Sequence, residues 1–467
     1  MKLCADPRGA VDALIELYDQ ACETARRCIA AGSFDDYAEV VYPKLTVDVL
    51  QWRPIDRTEP FGYVDKPGRY ASAVSRPGMM RAYLMNQLAR LVENYPCDIY
   101  VGASDIPIPP EYIAGIGDVS EARRAAAGAD LPRPTLDDVH DAIVDGDWDA
   151  FHGDEAPLLH FGPQRFDIAC ARVAHYTGID MSSCQRYILF TNYAMHTTEF
   201  VKFALAQLKD PASRYTGLRL PVGEALTSES QADIEDLTLE SPYQMPRYDL
   251  CTPEGDGITM INIGVGPSNA KTITDSLAVL RPEAWIMIGH CAGLDGRMRI
   301  GDLILGNAYQ RYDHILDEHV PYNIPIPAIP EVQRALEKAV ESIHGDSKEI
   351  MRTGTVISTD DRNWEWRTPK DLWHWLRGST AVAVDMESCT LAANGYRYRV
   401  PYGTLLSVSD LPLHAVPKLP AQAQAFYQSS KEAHMMCAVR AMEQLASNPA
   451  KLRTRKLRHT IAEVPFR

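Results

Sequence analysis

ITMINIGVGPSNAKTITDSLAVL, residues 258–280, is the stretch whose reading decides the fold class. Residues 258–263 are a short apolar run, the pattern of a buried strand. A Gly-rich turn follows at Gly264-Val265-Gly266, and then a helix to Leu280. Strand, turn and helix in that order form the building unit of an α/β domain. The unit recurs on both sides. Upstream, residues 186–191 (RYILFT) read as a strand and Met195 to Leu208 as a helix. Downstream, 284–288 and 303–307 read as strands and 332–343 as a helix. Buried strands at 355–358, 381–386 and 404–408 and a long helix over 421–445 complete the series. Short apolar strands alternating with helices predict a mixed or mostly parallel central sheet flanked by helices. No internal repeat is visible.

The chain before this series reads differently. At roughly 150 residues per domain, 467 residues make about three domains or two large ones. Residues 10–31 form an amphipathic helical pattern, 45–52 a strand, and 99–102 another. Arg76-Pro77 opens a second helix through Tyr95, with Pro77 in the first turn, where its missing N–H costs nothing. From Ser104 to Ala156, Pro, Asp, Ala and Gly dominate, which predicts an irregular acidic segment. Thr227 to Ser241 reads as an acidic loop. We therefore expect an N-terminal α+β domain over 1–180 and an α/β domain over 181–467.

Composition excludes several classes. Lys plus Arg number 47 and Asp plus Glu 62, a formal net charge of −15. Nucleic-acid binding works by neutralising phosphates with a basic surface, so no nucleic-acid partner is expected. A small anionic substrate is compatible, because a few local cations suffice for one phosphate. Asp12 and Glu16 interrupt any apolar core of a secretory signal. The most apolar stretch, 284–294, is far short of the ~20 residues of a membrane span. The ten Cys show no CxxC pair, which fits reduced, buried thiols in the cytoplasm. The basic run KLRTRKLRH near the end reads as a solvated face.

Four motifs stand at the ends of the α/β strands, where ligand crevices open. The first is Gly264-Val265-Gly266-Pro267-Ser268-Asn269, either an anion-facing helix start or a tight structural turn. It is neither a Walker A loop nor a good dinucleotide fingerprint. The second is Gly289-His290-Cys291-Ala292-Gly293, a turn in which His290 faces a substrate or is a structural His. The third is Val384-Asp385-Met386-Glu387, in which Glu387 points into the crevice or simply opens the next helix. Met386 beside it offers a soft apolar surface for a sugar face. The fourth ends in Ser409-Asp410, and Asp410 is either a cap residue or an acid. Two carboxylates at two strand ends suit glycosidic chemistry, where one group steadies a sugar becoming cationic and the other protonates the leaving group. No metal-ligand set is visible; the nearest His pair, His314 and His319, does not share a helical face.

These four motifs in this order resemble the nucleoside phosphorylase and nucleosidase superfamily over residues 180–450. GVGPSNAKTITDSLAVLRP, GTVISTDDRNWEW, VDMESCTLAANGYRYRVPYGTLLSVSD, the terminal PFR and the extra N-terminal domain resemble the AMP nucleosidase family, over nearly the whole chain. The resemblance implies a nucleoside-phosphorylase-like catalytic domain and hydrolysis of AMP to adenine and ribose 5-phosphate without a cofactor. It implies that Asp410 protonates purine N7, a role that needs either partial desolvation or a proton taken in concert with substrate binding, because an ordinary Asp titrates near ~3.9. Glu387 would bind the ribose hydroxyls, with Met386 packed on the sugar. Thr359 to Trp364 matches the loop lining the base pocket, making Asn363 and Trp364 base-binding candidates. Tyr193 to Glu199 falls where hydrolytic relatives carry a water-orienting carboxylate, which points to Glu199. His290 stands where many relatives carry a small residue, and would place water or exclude phosphate. Tyr309 to His314 matches a loop approaching the 5′ end of the substrate, so Arg311 and His314, with Lys271 and Arg76, are the 5′-phosphate candidates. The resemblance further implies a homohexamer, an N-terminal domain that regulates or completes the substrate site, and ATP and inorganic phosphate as effectors. A phosphate-using phosphorylase and a non-catalytic nucleotide sensor are the rival readings.

Overall fold

A computed structural model describes residues 1–56, 60–114, 119–120, 131–148, 155–230, 232–417, 420–453 and 463–467. The chain forms two compact units, one of 1–171 with 458–467 and one of 172–457.

The first unit is a helix-backed five-stranded sheet. Strands β1 (Lys2–Cys4), β2 (Val41–Val49), β3 (Gly68–Ala73), β4 (Cys97–Pro107) and β5 (Glu155–Pro157) lie in the order β1-β4-β2-β3-β5. Every neighbouring pair is antiparallel except β3 with β5. The helix Pro7–Ala31 starts where Asp6 accepts from the Gly9 N–H at 2.7 Å, and ends at Gly32 with φ 65°. Its apolar stripe, including Ala21, Cys22, Ala25 and Cys28, packs with Tyr37, Val40, Tyr42 and Ile108 in one core. Two expectations need correction here. The second helix spans Arg81–Asn94, because Arg76 has a positive φ of 45° and residues 77–80 form a turn that cannot join the helix. The segment after Ser104 is not irregular from its start, since β4 runs to Pro107 and pairs there with Val41. Most of the rest of that acidic segment that is described is short turns and 3-10 pieces; 115–118, 121–130 and 149–154 lie outside the described residues, as does most of the basic run near the end. Residues 463–467 are knitted into this unit. The Gly62 N–H donates to Pro465 O at 2.7 Å, the Arg467 N–H to Gln87 Oε1 at 2.7 Å, and Phe466 is fully buried edge-on to Tyr83.

The second unit is a nine-stranded mixed sheet. Its strands are β6 (Tyr187–Thr191), β7 (Gly217–Arg219), β8 (Arg247–Cys251), β9 (Ile258–Asn262), β10 (Ala284–Gly293), β11 (Leu303–Tyr312), β12 (Met351–Thr359), β13 (Ala381–Asp385) and β14 (Tyr402–Asp410). The order is β13-β12-β11-β14-β10-β6-β9-β8-β7. β6, β9, β10 and β14 run parallel, so their C-terminal ends open on one side. The end of β10 also pairs antiparallel with β13 through Ala292 and Val384, so five strands close on themselves. That closure explains why several strands outrun their apolar runs. β10 was expected to stop at residue 288, with Gly289 to Gly293 as a turn. Instead those residues are ladder, bulged between Cys291 and Ala292. Likewise β11 continues through Tyr312, paired to Thr359, where a loop was expected. β10 is buried along its whole length, and the Trp285 indole N–H donates to Leu391 O at 3.1 Å. Among the described residues no helix is long and apolar enough to cross a membrane.

Candidate active site

Strand ends of the second unit surround a cavity of about 310 Å³. β6 delivers Asn192 and Tyr193; β10 delivers His290, Cys291 and Ala292; β14 delivers Ser409 and Asp410. β13 contributes Val384 and Asp385 and is followed by Met386 and Glu387, while the segment after β12 adds Arg362, Trp364 and Glu365. His290 lies opposite Ser407, and Ala292 opposite Asp410, across the β10–β14 bulge. A bulge of this kind re-aims the side chains that follow it.

The Gly-rich turn explains the placement of Glu387. Gly266 has φ 112°, a conformation L side chains rarely adopt, and it ends the turn at the start of the helix Pro267–Leu277. Its N–H donates to Glu387 Oε1 at 2.6 Å. The loop therefore does meet a carboxyl group, but one supplied by the protein itself. Asn192 Nδ2 donates to Glu387 Oε2 at 3.3 Å. Glu387 does stand at the N-terminus of the helix Ser388–Tyr398, but its carboxylate does not cap it. Asp385 takes that task, accepting the Ser388 N–H at 3.0 Å together with the Ser358 and Ser388 hydroxyls. Burial first, and the Asp385 charge second, raise the Glu387 carboxyl well above the ordinary carboxylate range. Asp385 is raised too, by burial.

Asp410 is the last residue of β14 and 3% exposed. The Ser409 hydroxyl contacts its Oδ1 and lies 3.2 Å from Cys291 O. Met386 is half-buried at the cavity wall. Trp364 is buried there, edge-on to Trp375 at 5.6 Å and packed with Ala292, Ile357 and Val384. Asn363 is exposed, and its N–H donates to Asp361 Oδ1 at 2.9 Å. The Tyr193 and His290 rings meet edge to face at 4.3 Å. Behind His290 lie His196 and His434, both fully buried. Burial pushes the His434 imidazolium down to about 4, and burial first, with the neighbouring His434 second, lowers His196 well below the ordinary range.

The structure thus brings Asp410, Glu387, Met386, Trp364 and His290 to one cavity. The remaining candidates lie elsewhere. Glu199 is buried between Lys202 Nζ at 3.1 Å and Lys431 Nζ at 2.9 Å; burial works upward on its carboxyl, but these hydrogen bonds outweigh it and hold it below the ordinary range. Arg311 is 3% exposed and donates to Val320 O at 2.7 Å and Pro321 O at 2.9 Å. His314 is exposed, with Nδ1 2.9 Å from Asp317 Oδ2. Lys271 pairs with Asp275 at 2.5 Å, one helical turn away. Arg76, in the first unit, pairs with Asp167 at 2.8 Å. Among the described lining residues the arginine is Arg362, which motif reading passed over because it sits inside a matched loop rather than at its key positions. Asn192 was missed because an Asn after an apolar strand carries no signal of its own.

Comparison with known proteins places this geometry. A family model described as "Bacterial AMP nucleoside phosphorylase N-terminus" matches residues 9–155, and one described as "Phosphorylase superfamily" matches 225–443. The AMP nucleosidase of Escherichia coli (strain K12) is 43% identical, over 99% of this chain and 98% of its own. A 5'-methylthioadenosine/S-adenosylhomocysteine nucleosidase of Bacillus licheniformis is 20% identical over 34% of this chain and 70% of its own. The crystal structure of AMP nucleosidase from Bacteroides thetaiotaomicron VPI-5482 is 26% identical, covering 61% of this chain and 99% of that one, with a TM-score of 0.45. The catalytic unit is thus nucleoside-phosphorylase-like, a mixed α/β sheet flanked by helices, and the chain belongs to the AMP nucleosidase family.

Proposed function

We propose that this chain hydrolyses the N-glycosidic bond of AMP, giving adenine and ribose 5-phosphate. The observation that carries the reading is the 43% identity to the E. coli AMP nucleosidase over nearly the whole of both chains. The cavity supplies a physical route. Adenine leaves poorly as an anion. Asp410 donates its proton to N7, so the electron pair of the C1′–N9 bond departs onto a neutral base; such general acid help is worth about 10²–10⁴ in rate. The placement of Asp410 in the cavity lining at the end of a strand supports this role. Glu387 holds the ribose hydroxyls and Met386 packs on the sugar as C1′ becomes cationic. Water then adds to C1′ and returns a proton to Asp410. Trp364 and Asn363 flank the base. His290 helps place the water, and Glu199 acts on it from outside the cavity, through its neighbours.

For the 5′-phosphate the proposal keeps Arg311, His314, Lys271 and Arg76, and adds Arg362 because it lines the cavity. The proposal extends to a cytoplasmic homohexamer controlled by ATP and inorganic phosphate, with residues 1–180 as the regulatory or substrate-completing domain and 181–467 as the catalytic one. Here the support is the family resemblance.

A second reading is phosphorolysis, favoured by the family descriptions, both of which name phosphorylases. The purified protein incubated with AMP in phosphate-free buffer, with and without ATP, distinguishes the two. Release of adenine with ribose 5-phosphate is expected. Release only when phosphate is supplied, with ribose 1,5-bisphosphate as co-product, would replace hydrolysis by phosphorolysis.

A further inference from the structure

His196, on the helix Ala194–Lys209, and His434, on the helix Pro420–Ser447, meet His290 of β10 beneath the cavity wall. The three are at most 7% exposed, and one ring nitrogen of each lies within 4.8 Å of the other two. Ring centroids are 5.1 Å apart for His196 and His434, 5.6 Å for His196 and His290, and 6.3 Å for His290 and His434.

Two of these rings are fixed from their far sides. His434 Nε2 lies 2.9 Å from Leu405 O. A carbonyl only accepts, so Nε2 carries the proton and Nδ1 is left as a lone pair. His196 Nδ1 lies 2.8 Å from the Thr191 hydroxyl, which also accepts the Tyr193 N–H at 3.2 Å. The hydroxyl can accept from Nδ1 or donate to it; in the tautomer with Nδ1–H donating, the His196 Nε2 is a second lone pair. Both lone-pair nitrogens are buried with no hydrogen-bond partner among the described residues. A buried polar group left unsatisfied loses its hydration without compensation. Two of them converging beside a third imidazole point to something they share.

We propose that His196, His290 and His434 together bind one divalent transition-metal ion of the zinc class. An all-imidazole set selects such ions over Mg²⁺ and Ca²⁺, which take oxygen ligands. A ligand imidazole held through its other nitrogen by a carbonyl or hydroxyl is the usual outer-shell arrangement of such sites. A neutral imidazole is the form that coordinates a metal. Three protein ligands leave a fourth coordination position for water. Because His290 also lines the cavity, the ion sits at the cavity wall. The assignment rests on the three histidines alone and holds whatever the substrate.

The test uses the full chain, stripped with a chelator and titrated with Co²⁺ and then Zn²⁺. One equivalent of Co²⁺ per chain is expected, with the intense visible bands of a four-coordinate ion, bleached when Zn²⁺ displaces it. His196→Gln combined with His434→Gln should abolish those bands. Thr191→Val, which removes the outer partner of His196 together with the acceptor of the Tyr193 N–H, should weaken metal binding by roughly 10–100-fold. If the double variant fails to fold, the wild-type melting temperature decides: it should rise with Zn²⁺ and fall back with chelator. Absence of both the bands and a melting shift in the wild type would overturn the proposal in favour of a bridging water. Undiminished metal in a folded double variant would overturn it in favour of adventitious surface binding.

Discussion

Asp167 in the first unit and Glu387 in the second are both buried carboxyl groups raised by burial, and the two folds surround them with charges of opposite sign. Asp167 has a fully buried side chain and is met by charge and hydrogen bond together: the Arg76 guanidinium at 2.8 Å and the Tyr42 hydroxyl at 2.7 Å. Glu387 receives N–H donors from Gly266, Met386 and Asn192, and the charge that acts on it is that of another carboxylate, Asp385. Burial raises both carboxyls, but at Asp167 the Arg76 charge and the hydrogen bonds from Arg76 and Tyr42 work against it, whereas at Glu387 the Asp385 charge adds to it. The first arrangement holds a structure together. The second leaves a group whose protonation and hydrogen bonding can still respond to a ligand, and such groups concentrate at functional sites.

Three variants probe that difference. The largest effect belongs to Asp410, which shares the cavity with Glu387. Asp410→Asn should lower kcat for AMP by about 10²–10⁴ while nucleotide binding, followed by equilibrium dialysis, stays near wild type. Full activity in this variant would remove Asp410 as the acid. Next, Asp167→Ala strands Arg76, and breaking a buried pair costs about 3–5 kcal/mol. The Arg76 side chain is 21% exposed, so the loss in denaturant unfolding should fall at the lower end of that range. A loss indistinguishable from zero would mean that the pair is not what orders this unit. The smallest effect concerns pH. The Glu387 carboxyl is raised in the folded protein above its unfolded value of ~4.3, so the folded state binds the extra proton between the two values. The stability linked to it is complete below the unfolded value and is lost as pH rises through the raised one. Glu387→Gln should flatten that decline, leaving only the part due to Asp385, and should raise KM for AMP. An unchanged pH dependence of stability would show that Glu387 does not titrate as its surroundings dictate.

The same contrast shows what a one-dimensional reading can reach. The apolar centres of β6, β9, β10, β12, β13 and β14 were legible because hydrophobic runs mark buried strands. Their ends were not, because closure of the sheet recruits small and polar residues such as Gly289 to Gly293 into the ladder. The four strand-end motifs led to the cavity because each carries its own local signal. Phosphate candidates proved harder: Lys271 and Arg311 look like free cations in a string of letters, and the fold gives each a partner close by. The histidine cluster was invisible because His196, His290 and His434 come from three distant elements and share no spacing. In the first unit, β1, β3 and β5 were missed, being short or lacking an apolar run.

The return of residues 463–467 to the first unit has a consequence for how the chain matures. Residues 172–457 are, topologically, an insertion within that unit. The partners Gly62 and Pro465 are separated by the whole of the inserted unit, and chains emerge from the ribosome in order. The α/β sheet is therefore fully synthesised before the fold that began first can close, and Tyr83 and Gln87 wait with their binding face open until Phe466 arrives. The contacts that complete the first-made unit are thus the last of its contacts that synthesis makes available.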